Sequence, residues 1–490
     1  MRRIHFIGIC GTAMATLAAM LKRKGLDVRG SDQDVYPPMS DFLASERIPT
    51  LTGYSADHIT GDLDLVVVGN AISRGNPELE EVLDRKIRYC SLPEAIREHF
   101  LWGARSIVIA GTHGKTTTTS LTGWLLTHGG VDPTVLVGGI ARNFGDRGSS
   151  YRMGQGRDFV IEGDEYDSAF FDKTAKFLKY LPDIAVVNNV EFDHADIYAD
   201  FDAVMLAFRR LVRLVPRKGL LLVGADSAGA RELLTGAVSR VQTFGTGSDV
   251  DWHAYDIEAS ATATRFTVRH HGSPFGAFDM PLVGIHNVRN ALAAIAVAPL
   301  VGIHNVRNAL AAIAVAADVG IGAERIAEGL RLFGGIKRRL EVVGVADAVT
   351  VYDDFAHHPT AVAETLAGLR AANPDARIWA VFEPRSASSC RSVFQDDFAK
   401  AFGSANEVLI APVFRSKLPE AERLSVPRLV RDLKAQGQSA REAESFDGIV
   451  QIVVREHRRG DLVVLMSNGG CGGIHQQLLT ALEGPREALA

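Results

Sequence analysis

Short apolar runs alternate with helix-period segments along the first hundred residues: Ile4–Ile9, the Gly25–Gly30 region around Val28, and Leu63–Val68. That rhythm predicts a parallel α/β sheet, because strands buried on both faces are apolar without alternation and each crossover takes a helix. Arg2 and Arg3 followed by the small and apolar stretch Ile4–Met20 also have the look of a signal peptide. A buried strand over 4–9, a turn at Gly8 and Gly11 and a helix from Thr12 to about Lys24 account for the same residues, with basic side chains suited to a helix C-terminus. A second α/β unit starts at Ser106–Ala110, and the pattern restarts near Gly334 and Gly335 with strands at Val349–Tyr352, Ile378–Phe382, Glu407–Ala411 and Leu462–Met466. Boundaries are therefore expected near 103 and 334, giving domains 1–103, 104–334 and 335–490. No other stretch of about 18 residues is apolar without charge, so no membrane span is predicted.

One segment breaks the rhythm. Pro281–Ala298 reads PLVGIHNVRNALAAIAVA, and Pro299–Ala316 repeats it letter for letter. Two copies of so short a unit do not make a solenoid, so a recent duplication or an error of sequence assembly explains it better than an architectural repeat. Only one copy can fill a given core position, and Pro299 interrupts any helix continuing from the first. The first copy is expected in that position, because it follows directly from the strand-like Gly276–Met280.

Composition narrows the class. At 490 residues the chain suits about three domains of about 150 residues. Its 47% hydrophobic and 23% charged residues are those of a globular protein, and 47 glycines against 18 prolines favour tight turns over disordered linkers. A net charge of −5 gives no general attraction to nucleic acid or anionic lipid, and neither partner is expected. Cys10, Cys90, Cys390 and Cys471 form no CxxC pair, so no zinc knuckle or redox motif is offered and reduced thiols in a cytoplasm are expected.

The candidate chemistry lies where apolar runs end. Ser106–Ala110 passes straight into Gly111-Thr112-His113-Gly114-Lys115-Thr116-Thr117-Thr118, and a Thr/Ser/Leu helix follows. This is the context of a phosphate-binding loop: backbone N–H groups cradle phosphates, Lys115 meets the β/γ-phosphates and the Thr116 hydroxyl reaches Mg2+. Two further apolar runs end in acids, one in Glu162-Gly163-Asp164-Glu165-Tyr166-Asp167 and the other in Glu191-Phe192-Asp193-His194. Ligands of open α/β sheets collect at such strand ends, and a carboxylate, a histidine and a loop threonine suit divalent ions on a nucleoside triphosphate. Gly8-Ile9-Cys10-Gly11 is a weaker phosphate turn without the full GxGxxG spacing. In His357-His358-Pro359 adjacent histidines are poorly spaced for one ion, which favours a structural role.

The order of GTHGKTTT, the strand ends at Glu162 and at Asp193-His194, the His-Asn-x-x-Asn of the repeat, Lys337-Arg338-Arg339 and Asp353-Asp354-Phe355-Ala356-His357-His358-Pro359 resembles the Mur ligases over essentially the whole chain. Tyr36-Pro37-Pro38-Met39-Ser40, Gly163–Lys173, Phe382-Glu383-Pro384-Arg385-Ser386 and Met466-Ser467-Asn468-Gly469-Gly470 look like the branch that recycles murein peptide. The resemblance implies a Rossmann-like N-terminal domain for a uridine nucleotide, a central P-loop ATPase-like domain and a Rossmann-like C-terminal domain. It implies ATP and Mg2+ as cofactors, and as substrates UDP-N-acetylmuramate and L-Ala-γ-D-Glu-meso-diaminopimelate, joined through an acyl phosphate; no obligate protein partner is implied.

By the same resemblance Gly111, Thr112, His113, Gly114, Lys115, Thr116 and Thr117 meet ATP, with Asn287 and Asn290 (or Asn305 and Asn308) at its adenine end. Thr116, Glu162 and His194 are implied metal ligands, Arg339 and Asp354 reach the nucleotide, and Lys115, Glu162, His194, Arg339 and Asp354 form the catalytic set. Gly8, Gly11, Thr12, Ser31 and Asp32 face the uridine nucleotide, and Arg385 grips a peptide carboxylate. Ala387-Ser388-Ser389-Cys390 stands where Asn-Thr-Met-Lys is expected, and Cys471 where an aromatic is. No lysine lies between His194 and Pro216, so no carbamylated lysine is predicted. The rival readings are ligation of L-alanine alone, a folylpolyglutamate-type ligase, a nucleotide sensor without turnover, and an NAD-dependent oxidoreductase resting on Gly8 and Gly11, which leaves Lys115 and His194 unexplained.

Overall fold

The computed structural model describes residues 2–35, 39–146, 148–259, 263–281, 303–414 and 418–484. They form two compact units, one of Met1–Ile140, Phe144–Glu191 and Asp202–Thr243, the other of Ala141–Asn143, Phe192–Phe201 and Phe244–Ala490.

In the first unit Arg3–Ile7 is the central strand of a parallel sheet ordered Thr50–Thr52, Asp27–Asp32, Arg3–Ile7, Leu65–Val68, Tyr89–Ser91. The chain progresses in one direction from the centre and then in the other, which opens a crevice at the C-terminal ends of Arg3–Ile7 and Leu65–Val68. At that end Gly8 has φ +84°, and the N–H groups of Gly8 and Ile9 donate to Ser31 O at 2.9 and 3.0 Å. The helix Thr12–Arg23 follows and ends on Lys22 and Arg23, so the opening residues are a buried strand and a helix. Among the described residues no helix is long and apolar enough to cross a membrane.

Beneath the crevice lies Glu78, fully buried on the helix Pro77–Asp84. It accepts hydrogen bonds from Ser31 Oγ at 2.5 Å, and pairs with His5 Nε2 at 3.0 Å and His58 Nδ1 at 2.6 Å. Burial pushes this carboxyl up, yet the hydrogen bonds from His5, Ser31 and His58 outweigh it and hold the group below its ordinary value. The second sheet of this unit places Arg105–Ala110 between Ile184–Val187 and Asp158–Gly163, all parallel, with Leu220–Gly224 beyond the one and Thr134–Ala141 beyond the other. Ile107, Val108, Ile109, Val186 and Val187 are fully buried, as unalternating apolar strands require.

The second unit holds an antiparallel run of Trp252–Ala259, Ala263–His270 and Ser273–Pro281. Its larger sheet is ordered Glu341–Ala346, Val349–Asp354, Leu462–Met466, Ile378–Phe382, Glu407–Ile410, Ser439–Glu442 and is parallel except for the first pair. Successive residues of its central strands enter different cores: Ile378, Ala380, Phe382, Val464 and Met466 pack on one side, Trp379, Val381, Val463 and Leu465 on the other. Both faces are thus covered by helices, which explains why these strands read as continuous apolar runs.

The duplication resolves against expectation. It is the second copy that builds the buried helix Ile303–Asp318, in which Val306, Ala309, Leu310, Ile313 and Val315 have no exposed surface. Residues 282–298 of the first copy lie outside the described residues, and with them Asn287 and Asn290. Continuation decides the matter: after Ala316 the helix extends through Ala317 and Asp318, and Val319 N–H closes on Val315 O at 3.0 Å. In place of Ala317 and Asp318 the first copy is followed by Pro299 and Leu300, and proline brings no N–H to carry the helical hydrogen bonds onward. Leu310→Ala is expected to cost about 2–5 kcal/mol in denaturant unfolding; a smaller loss than that caused by Leu292→Ala would overturn the assignment.

Candidate active site

In the first unit the strand Arg105–Ala110 turns through Gly111–Gly114 into the helix Lys115–His128. Gly111 has φ +135° and would carry a Cβ 3.0 Å from that of Asn188, while Gly114 has φ +78°, so both need glycine. The loop is fixed from the neighbouring strand end. Asn189 takes the N–H of Thr112 on its carbonyl at 3.1 Å and that of His113 on Oδ1 at 2.7 Å. Thr112 Oγ1 exchanges hydrogen bonds with the backbone of Glu191, and Asn188 Nδ2 donates to Thr118 Oγ1 at 2.9 Å. A loop pinned this way meets a phosphate with its shape already set.

Lys115 folds back over the loop. Its Nζ donates to Gly111 O at 2.8 Å and to the Glu165 carboxylate at 2.8 and 3.1 Å, with Thr112 O at 3.3 Å. Burial opposes the ammonium charge, but Glu165 and Asp164 more than offset it and hold this lysine above its ordinary value. Glu162 accepts Thr116 Oγ1 at 2.8 Å and the N–H of Gly138 at 2.7 Å, and burial together with Asp164 pushes its carboxyl up. A Cβ at Gly138 would stand 2.9 Å from Glu162 Oε2, so glycine there lets strand Thr134–Ala141 reach the carboxylate. Hydroxyl and carboxylate are hard oxygen donors of the kind magnesium takes, and a divalent cation would favour the carboxylate form of Glu162 that burial and Asp164 oppose. This pair therefore fits the metal.

In the N-terminal crevice Gly8, Gly11, Thr12, Ser31 and Asp32 do share one sheet end. Asp32 Oδ2 accepts Cys10 N–H at 2.8 Å and Oδ1 accepts the Tyr54 hydroxyl at 3.3 Å. The Ser31 hydroxyl is fully buried and donates to Glu78.

In the second unit His194 sits in a left-handed backbone, φ +55°, at the corner after Phe192. Its N–H is shared between Asp193 Oδ1 at 2.6 Å and Ser388 Oγ at 2.9 Å, and Asp193 Oδ2 lies 3.7 Å from its Nε2. Burial works against the Asp193 charge, but His194, His358 and a hydrogen bond from Ser388 hold its carboxyl well below the usual range. His358 caps the helix Pro359–Ala372 and contacts Phe192 O through Nε2 at 3.1 Å.

Asp354 proves to be an organiser. Buried, it accepts the N–H of Leu340 at 2.6 Å and of Ala356 at 2.8 Å, with Thr365 Oγ1 at 3.3 Å, and so holds the segment bearing Arg339 instead of reaching outward. Arg338 is committed to Asp353 at 3.0 Å and Ser467 O at 2.8 Å, whereas Arg339, half-buried, lies over the Phe355 ring and has no ion-pair partner among the described residues. Asn305 and Asn308 are buried together on the core helix, 3.3 Å apart.

Arg385 is clamped. Its guanidinium stacks on Phe414 at 3.8 Å, Nη1 donates to buried Glu383 at 3.1 Å, and a Cβ at Gly469 would stand 2.2 Å from its Nε. Ser389 Oγ takes the N–H of both Arg385 and Ser386, so the unexpected Ser388-Ser389 pair closes the turn on itself. Sequence reasoning missed Gly138, Glu165, Asn189, Glu383 and Ser388. Glu165 and Glu383 lay inside stretches already singled out, and nothing in spacing marked Gly138, Asn189 or Ser388, whose partners are distant in the chain.

The chain matches the catalytic domain of the Mur ligase family over residues 3–101, the Mur ligase middle domain over 109–298 and the Mur ligase glutamate ligase domain over 338–469. It belongs to the Mur ligase family, with its three-domain α/β architecture. It is 40% identical to the UDP-N-acetylmuramate–L-alanyl-γ-D-glutamyl-meso-2,6-diaminoheptandioate ligase of Haemophilus influenzae, covering 99% of this chain and 100% of that one. The UDP-N-acetylmuramate–L-alanine ligase of Salinibacter ruber is 33% identical over 98% of this chain and 95% of that one. A crystal structure of a murein peptide ligase from Psychrobacter arcticus superposes with TM-score 0.70 at 35% identity, covering 99% of each chain.

Ser388→Ala removes the donor to buried Asp193 and is expected to cost about 1–3 kcal/mol in chemical unfolding. Ser388→Thr keeps the hydroxyl and restores most of that loss; equal destabilisation by both would mean that volume, not the hydrogen bond, matters at this position.

Proposed function

We propose that this chain is an ATP-dependent ligase that joins the lactyl carboxylate of UDP-N-acetylmuramate to the α-amine of recycled L-Ala-γ-D-Glu-meso-diaminopimelate in the cytoplasm. The observation that carries the reading is the pinned phosphate loop, with Lys115 inside it and Thr116 against Glu162, in a chain that matches a tripeptide ligase along its whole length. We assign 1–103 to the uridine nucleotide, 104–334 to ATP and 335–490 to the amine substrate.

A carboxylate does not acylate an amine unaided. In the proposed sequence the lactyl oxygen attacks the γ-phosphorus and ADP leaves. The peptide amine then attacks the acyl carbon of the acyl phosphate, the amine proton is given up, and phosphate departs from the tetrahedral intermediate. The first step brings two anions together, so positive charge must be in place beforehand. Lys115 supplies it from the loop, and the N–H groups at the start of helix Lys115–His128 add the positive end of its dipole. Magnesium, when bound, neutralises charge on the phosphates, and Thr116 and Glu162 would hold it. Arg339 would meet an anion, and Asp354 holds the segment that bears it. Asn305 and Asn308 of the second copy take the role first shared with Asn287 and Asn290. Gly8, Gly11, Thr12 and Asp32 face the uridine nucleotide.

The clamp around Arg385 favours the tripeptide over free alanine. Its geometry fixes the plane of a guanidinium that can take a carboxylate in bidentate fashion, and the tripeptide offers carboxylates that alanine does not. Phosphate release from ATP with UDP-N-acetylmuramate is therefore expected to be faster with the tripeptide than with L-alanine. Preference for alanine would move the chain to the L-alanine branch. Lys115→Ala is expected to lower phosphate release at least about 10²-fold while the uridine nucleotide still binds; retained turnover would defeat the role given to Lys115.

A further inference from the structure

The catalytic lysine has an anion already. Glu165 is 2% exposed, and both its carboxylate oxygens lie within 3.1 Å of Lys115 Nζ. An ammonium has three protons, and here they are shared among Gly111 O, Thr112 O and this carboxylate. A β- or γ-phosphate oxygen can gain Lys115 only by replacing one of them. The loop carbonyls belong to the rigid turn, so the exchangeable partner is Glu165.

The chain around Glu165 is arranged so that only its side chain need move. On one side Asp164 O accepts Phe177 N–H at 3.2 Å, and on the other Tyr166 O accepts Lys176 N–H at 2.9 Å. Lys176 Nζ adds a contact to Asp164 at 3.5 Å and lies over the Tyr166 ring. Glu162, Asp164 and Glu165 stand within four residues of one another, all acting on the one lysine. Any polyphosphate that enters meets that negative charge as well as competition for the cation.

We propose that Glu165 is an internal stand-in for the nucleotide's phosphates: it holds Lys115 in the nucleotide-free protein and is exchanged for a phosphate when a di- or triphosphate binds. This rests on the assignment of Gly111–Thr117 as the ATP loop, and is independent of which sugar or peptide the enzyme joins. Binding is then taxed by the fraction of protein in which the lysine is available. The device guards a reactive site, because a lysine already paired does not capture stray anions.

The test is direct nucleotide binding to the full-length chain, by calorimetry with ATP, ADP and AMP in turn. Glu165→Gln keeps a hydrogen-bond acceptor but removes the charge, and is expected to tighten ATP and ADP by about tenfold, as for a lysine available about one-tenth of the time. AMP, which has no β-phosphate to take the lysine, is unchanged. Glu165→Asp withdraws the charge by one methylene and tightens ATP by less. Unchanged or weaker ATP binding in Glu165→Gln would overturn the proposal, and if that variant does not fold, unchanged ATP binding in Glu165→Asp overturns it equally. Equal tightening of AMP would overturn it too, by showing a general gain and no phosphate exchange. Should Lys115→Ala bind ATP as well as the unaltered chain does, the loop assignment itself fails, which is a different result.

Discussion

A positive charge buried beside a sheet has to be matched, and the nucleotide end of this protein is organised around that requirement. Lys115 is surrounded by Glu162, Asp164 and Glu165, and these raise it above its ordinary value although burial pulls the other way. The arrangement follows from the parallel sheet: Arg105–Ala110 and Asp158–Gly163 run side by side, so the loop after one and the acids after the other emerge at the same end. Antiparallel strands would have sent them to opposite ends. The asparagines after Ile184–Val187 complete the same logic from the other flank. The contacts that the phosphate loop makes with the neighbouring strand ends are thus a consequence of strand order.

The second unit solves a similar problem with an opposite sign at its centre. Glu383 and Asp354, both buried, are carboxylates ringed by donors, and each keeps a cationic neighbour in place: Glu383 holds Arg385 directly, Asp354 holds the segment of Arg339. These acids occupy the C-terminal ends of Ile378–Phe382 and Val349–Asp354, which pair with Leu462–Met466 between them. A guanidinium pre-set by a buried acid loses less freedom when it grips a substrate than one waving in solvent.

Much of this could be read from the amino acids alone, and the limits have physical causes. Ile378–Phe382 and Leu462–Met466 were predicted residue for residue because strands buried on both faces leave unbroken apolar runs. Gly111–Lys115 was legible because two glycines that the backbone requires come just before a lysine at a strand-to-helix junction. The acidic cluster was found, but one residue was taken from it: nothing in the letters says that Glu165 faces Lys115 while Glu162 faces Thr116. Nothing in the letters says that Ser31 donates to Glu78 or that Asp354 holds the Leu340 backbone, because those partners lie far along the chain. Ser388 was noticed only as a departure, since its partner lies almost two hundred residues away. Contacts of that range are set by topology, which periodicity does not encode.

The repeated segment has a consequence for the birth of the protein. Two identical stretches present the same apolar face, so the core cannot tell them apart by shape, and the continuation through Ala317 and Asp318 makes the second the better tenant. The first, however, leaves the ribosome earlier, by about 1–4 s for eighteen residues at about 5–20 residues per second. Helix formation and collapse are far faster than that interval. Order of arrival and strength of tether therefore pull in opposite directions, and the pace of synthesis becomes a variable in how this domain finds its core.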